Sequence, residues 1–210
     1  MKLVIDRACA FSDNYIWLLH DLQSGRIAAV DPGQAAPVLE ALVRNRWKLD
    51  WIINTHHHWD HTGANEAIKR ATGCRVAGAA ADRHRIPEID LAFADGDTFR
   101  LGGAEPKVIS TPGHTSGHIC LWFEREQALL SGDTLFLMGC GKLTEGDAPT
   151  MWASLSRLAA LPADTQIYCA HEYTLANARF ARTVDPDNQA LVARIAACEA
   201  RLERGEATVR

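Results

Sequence analysis

The order of apolar and polar positions divides the chain into short extended runs and amphipathic stretches. Runs rich in β-branched and aromatic residues predict strands over 3–5, 15–20 and 26–31, punctuated by the turn-forming segments Asp21-Leu22-Gln23-Ser24-Gly25 and Asp31-Pro32-Gly33. Val38, Leu39, Leu42 and Val43 recur at helical spacing and predict a helix over 36–46. A strand over 51–54 and a helix over about 64–71 follow, then a loop-rich stretch around 82–95. Strands are expected over 98–101, 107–110, 118–124 and 128–131, then a helix over 151–161 and a strand over 166–170. Helical stretches over 175–182 and 187–203 close the chain. Their stripe of Leu191, Val192, Ile195, Ala196 and Leu202 reads as core packing. The order suggests two sheet-and-helix halves, with no internal repeat or low-complexity tract.

Candidate chemistry gathers just past the strands. Thr55-His56-His57-His58-Trp59-Asp60-His61 directly follows Trp51-Ile52-Ile53-Asn54. An extended loop aims i and i+2 to one side, so His56 and His58 can converge on one point while Asp60 and His61 reach a second. The run alone could be a solvated loop, but three further segments supply what a binuclear site would lack. His114 lies in Thr111-Pro112-Gly113-His114-Thr115-Ser116-Gly117-His118, Asp133 in Ser131-Gly132-Asp133-Thr134, and His171 in Ala170-His171-Glu172-Tyr173. Each follows an apolar run, where the loops of a packed sheet bring distant residues together. Imidazoles and carboxylates suit a borderline divalent cation such as zinc, with iron or manganese as alternatives. The partition gives His56, His58 and His114 to one metal and Asp60, His61 and His171 to the other, with Asp133 bridging. His57 is expected to point away, and His118 to support a ligand.

This set of segments resembles the metallo-β-lactamase superfamily and, within it, the hydroxyacylglutathione hydrolases. The finer cues are Ser131-Gly132-Asp133-Thr134-Leu135-Phe136, Gly139-Cys140-Gly141-Lys142 and His171-Glu172-Tyr173-Thr174. The resemblance implies an α/β fold of the αββα sandwich type, a metallo-hydrolase domain over 1–172 and C-terminal helices over 173–210 forming a shortened substrate-binding region. It implies a thioesterase with two divalent metal ions, in which a bridging hydroxide attacks S-lactoylglutathione or a related 2-hydroxyacyl thioester. By the same resemblance Asp60 and Asp133 are expected as the catalytic carboxylates, and Lys142, Thr144 and Tyr173 as the substrate contacts. Thr144 departs from the family, which often has a tyrosine there. The family also usually continues for several tens of residues beyond Arg210, in a tail whose basic residues hold the glutathione carboxylates. Competing expectations are a β-lactam hydrolase, a mononuclear iron sulfur dioxygenase and a weakly active metal-binding module.

Composition narrows the partners. At 210 residues and 47% hydrophobic, the chain can bury a substantial core. A formal net charge of −4 without a long basic block disfavours nucleic acid. No secretory signal or membrane span is visible near Met1 or elsewhere. The six cysteines form no C-x-x-C pair and read as buried free thiols in a reducing cytosol, so the expected setting is cytoplasmic. The expected partner is a small-molecule thioester, and the expected state a monomer or weak dimer.

Overall fold

Alternation along the strands dictates the layering. In the computed structural model, which describes residues 3–208, the first sheet runs in the order β1 (Leu3–Ala10), β2 (Asn14–Asp21), β3 (Arg26–Val30), β4 (Trp51–Asn54), β5 (Arg75–Ala79) and β6 (Leu91–Phe93). Its first two pairings are antiparallel and the rest parallel. The second half contributes β7 (Lys107–Ser110), β8 (Ile119–Phe123) and β9 (Ala128–Gly132). A two-residue pair, β10 (Leu135–Phe136) and β11 (Gly139–Cys140), precedes β12 (Gln166–Cys169). The second sheet has the order β12-β9-β8-β7, with β12 parallel to β9.

Tyr15, Trp17 and Leu19 point inward and meet Ile119, Leu121, Phe123 and Leu130 of the other sheet in the central core. The alternate positions Ile16, Leu18, Ile52 and Val76 face outward. They are covered by α1 (Ala35–Asn45), which brings Val38, Ala41 and Leu42, and, after the one-turn α2 (Trp59–Thr62), by Ile68 of α3 (Asn65–Thr72). Leu158 of α4 (Ala148–Ala159) covers Ile109, Cys120, Trp122 and Leu129 on the second sheet's outer face. The result is the expected αββα sandwich: two sheets with interleaved inner faces and helices outside. Helices α5 (Thr174–Val184) and α6 (Gln189–Glu203) pack on each other.

Several elements differ from the sequence expectation. β1 continues to Ala10 through Asp6 and Arg7, because an edge strand needs only its ladder to β2 and tolerates polar positions. β5 went unread because Ala77, Gly78 and Ala79 carry no β-branched signal. β6 lies inside the stretch read as loop-rich. The strand expected over 98–101 is instead a turn with isolated bridges at Thr98 and Leu101. All six cysteines are free, but Cys9 and Cys140 are exposed rather than buried. Among the described residues, no helix is long and apolar enough to cross a membrane.

Candidate metal centre

Loops leaving the C-terminal ends of β4, β7, β9 and β12 carry the polar cluster. Thr55, next after β4, donates both its backbone N–H and its hydroxyl to the Asp31 carboxylate at 2.7 Å. The Asn54 amide holds the His61 carbonyl at 2.8 Å, so the loop is pinned at both ends. Its second half forms the one-turn helix α2, which carries Asp60 and His61.

Tautomers follow from the partners. The Thr55 hydroxyl spends its proton on Asp31, so it accepts from His56 Nδ1–H at 3.0 Å. The Lys142 carbonyl can only accept, so His114 donates through Nδ1–H at 2.7 Å. In these tautomers both Nε2 atoms present lone pairs, and each lies 3.0 Å from His58 Nδ1. Nitrogens about 2.0–2.1 Å from a tetrahedral cation stand roughly 3.3 Å apart, so this spacing fits a shared ion. Burial, reinforced by the surrounding imidazoles, holds His56 well below and His58 below the ordinary histidine pKa, which favours the neutral, metal-binding form.

A second group adjoins the first. His171 Nε2 lies 3.3 Å from His61 Nε2, and Asp60 Oδ2 lies 3.3 Å from His61 Nε2 and 3.4 Å from His171 Nε2. Asp133 reaches both groups: its carboxylate is 3.6 Å from His61, 3.4 Å from His171 and 3.5 Å from His114. Its Oδ1 is buried without a hydrogen bond, an arrangement that a cation would satisfy. Burial opposes charge on His171, yet Asp133, Asp60 and Asp13 push its pKa up to about 10. His61 is likewise raised, against burial, by Asp133, Asp31 and Asp60. Burial resists ionisation of Asp133, but His61, His171 and His114 bring its pKa down to about 2. The carboxylates thus create a strongly negative field where the lone pairs converge. Geometry, donor chemistry and field all suit divalent cations, and three mutually close groups could hold them: His56/His58/His114, His56/His61/Asp133 and Asp60/His61/His171.

The remaining expected residues occupy defined places. His57 turns away, with Nδ1 3.1 Å from Asp82. His118 accepts the Asp133 backbone N–H through Nε2 at 3.0 Å, and burial lowers its pKa to about 3, so it stays neutral. Lys142 is exposed, and its backbone carbonyl is the partner of His114. Thr144 directs both its hydroxyl and its backbone N–H to the His114 carbonyl, which ties it to the loop rather than leaving the hydroxyl for a substrate. Tyr173 is half-exposed and stacks on His171 with ring centroids 4.7 Å apart and a 6° interplanar angle, with Phe136 edge-on at 5.3 Å.

Other residues around the cluster were not read from the sequence. Asp13 Oδ1 accepts from His171 Nδ1–H at 2.9 Å, and the Asn14 amide donates to Asp60 Oδ2 at 3.1 Å. Arg85 donates to Asp82, Ser116 and Glu145, and Glu145 accepts from the Ser116 N–H at 2.7 Å, bracing the loop that bears His114. A carboxylate-amide pair opening a strand was the only local signal for Asp13 and Asn14. Sequence spacing gave none for their partners.

Comparison with known proteins agrees with the fold. Residues 14–171 match the metallo-beta-lactamase superfamily model, and residues 172–210 match the model of the hydroxyacylglutathione hydrolase C-terminus. The chain is 58% identical over 197 residues to the hydroxyacylglutathione hydrolase of Methylococcus capsulatus, covering 94% of this chain and 77% of that one. It is 51% identical to the enzyme of the same name from Rhodospirillum rubrum, covering 99% and 81%. Among solved structures, ETHE1 from Myxococcus xanthus superposes with a TM-score of 0.70 at 27% identity, covering 81% of this chain and 76% of that one. The BLEG-1 B3 metallo-beta-lactamase shares the fold with a TM-score of 0.73 at 24% identity, covering 80% and 91%. The chain belongs to the metallo-β-lactamase superfamily and, within it, to the hydroxyacylglutathione hydrolases.

Proposed function

We propose that this chain is a metal-dependent thioesterase that hydrolyses S-(2-hydroxyacyl)glutathione, such as S-lactoylglutathione, to glutathione and a 2-hydroxy acid. The observation that carries the proposal is the pair of adjacent ligand groups joined through Asp133. His56, His58 and His114 would hold one divalent cation, and Asp60, His61 and His171 a second, zinc being the best match to this nitrogen-rich set. Such cations acidify a bound water towards neutrality and polarise a carbonyl oxygen.

The chain's own groups account for the rest. Asp60 is held far below the usual carboxylate range: burial resists, but hydrogen bonds from His171, His61 and Asn14 outweigh it. It therefore remains an ionised acceptor that can orient the attacking water. Addition of water to the thioester carbon breaks the carbon–sulfur bond, and the products are an acid and a thiol. The exposed Lys142 would meet a glutathione carboxylate, while Tyr173 would offer its hydroxyl to the peptide. The Thr144 hydroxyl already serves the His114 carbonyl, so any contact from Thr144 would use its remaining surface.

The free cysteines favour a reducing cytoplasmic setting, and the proposed state is a monomer or weak dimer. Steady-state hydrolysis of S-lactoylglutathione by metal-quantified protein, beside a non-glutathione thioester, tests the reading. Glutathione-dependent turnover with about two metals per chain is expected. Equal turnover of both thioesters would remove the glutathione assignment, and faster turnover of a β-lactam would overturn the thioesterase assignment.

A further inference from the structure

We propose that Asp13 and Asn14 are positioning residues for one half of the centre only, the Asp60–His171 half. The inference rests on the two-cation reading above. Both residues lie where the β1–β2 hairpin turns back into the sheet, far in sequence from their partners. The Asp13 carboxylate can only accept, so at 2.9 Å it keeps a proton of His171 on Nδ1 and leaves Nε2, which faces His61 and Asp133, as the nitrogen that a cation would meet. The Asn14 amide meets Asp60 at two atoms, Oδ2 at 3.1 Å and the backbone carbonyl at 3.4 Å, and so orients the carboxylate.

The turn is itself stitched to the loop that carries His171. Tyr15 N–H donates to the Ala170 carbonyl at 2.7 Å, and Glu172 N–H to the Asp13 carbonyl at 2.9 Å. Tyr15 also donates its hydroxyl to Glu172 at 2.6 Å. Glu172 accepts Thr208 N–H at 2.9 Å as well, so the C-terminal segment belongs to the same clamp.

The three-histidine half is held by different residues. His56 is oriented by Thr55, and His114 by the Lys142 carbonyl. The His114 loop is braced by Glu145 and Arg85. The two halves meet at Asp133, so loosening the Asp13–Asn14 clamp acts on one cation position and spares the other.

Metal-free wild type, Asp13→Ala and Asn14→Ala are titrated with Zn2+ against a chromophoric chelator, with 15N imidazole shifts assigning each equivalent to its histidines. Removing the outer hydrogen-bond partner of a ligand typically weakens metal binding about 10–100-fold. The expected result is one equivalent of wild-type affinity at His56, His58 and His114, and a second, seen at His61 and His171, weakened by that factor. Asp13→Asn, whose amide oxygen still accepts from Nδ1–H, should recover most of the loss, and it keeps the test open should Asp13→Ala fail to fold. Equal weakening of both equivalents, or an unchanged second equivalent, would overturn the inference. A wild type that binds fewer than two equivalents would remove the two-cation reading and this inference with it.

Discussion

Gly141→Ala probes how tightly the shared carboxylate is held. A Cβ built on Gly141 lies 1.9 Å from the Asp133 carbonyl oxygen and 3.2 Å from His114 Cβ, whereas ordinary contact begins at 3.4 Å. Its φ lies outside the left-handed region, so the conflict is steric and not conformational. Backbone must give by about 1.5 Å, and the atom in the way is a main-chain oxygen that cannot rotate aside. Overpacking of this kind costs about 1–3 kcal/mol, or roughly 2–12 °C in Tm for a chain of this size.

The larger effect should be on turnover, because a displacement of about 1 Å at a reacting centre can lower a rate about 100-fold. The assay is kcat/KM on S-lactoylglutathione with metal content and Tm measured on the same preparation. Gly103→Ala is the control, since its nearest neighbour is the movable end of Gln23 at 3.3 Å. Wild-type kcat/KM in Gly141→Ala, with the control also unchanged, would show that Asp133 does not depend on this close approach.

Asp133→Ala should lower both metal equivalents and nearly abolish turnover; one tightly bound equivalent with substantial activity would remove the bridging role. Lys142→Ala should mainly raise KM, by a factor checked in glutathione thioester kinetics, with kcat nearly intact. Acid stability offers a third check through Glu145. Its pKa is drawn down to about 2 by Arg85, against some burial, with help from the Ser116 N–H and hydroxyl. A depressed folded-state pKa contributes stability that is fully present above the unfolded value near 4.5 and is lost as pH falls towards 2. The Tm difference between wild type and Glu145→Gln should therefore shrink steadily over that window, and a constant difference would contradict the assignment.

Much of this molecule was legible because its candidate ligands follow strands. Trp51–Asn54 and Lys107–Ser110 match their observed bounds, and each is followed directly by a loop that bears candidate ligands. Layering was legible wherever both faces of a strand are packed, as in Ile119–Phe123. It failed at β5, where small residues suffice because the neighbouring strands supply the bulk, and at β1, an edge strand with polar positions. The supporting residues were illegible for another reason. Asp13 meets His171 across 158 residues and Asn14 meets Asp60 across 46, and no local pattern encodes which carboxylate or amide a distant histidine will find.

Three separate features hold Asp133, the carboxylate that would be shared between the two proposed cations. Gly132, just before it, adopts φ +50°, and a side chain there would meet Thr55 Oγ1 at 2.5 Å and His118 Nε2 at 2.7 Å. His118 takes the Asp133 backbone N–H, and its own Nδ1 sits 3.0 Å from both the Thr111 and Thr134 hydroxyls, which fixes its ring. Gly141 closes over the Asp133 carbonyl. Together they leave Oδ1 buried and without a hydrogen bond, 3.6 Å from His61. Leaving a buried carboxylate oxygen without a donor is unfavourable by itself. A fold that fixes it there by three routes gains most when cations occupy both sides, so metal binding should raise Tm more in wild type than in any variant that frees Asp133.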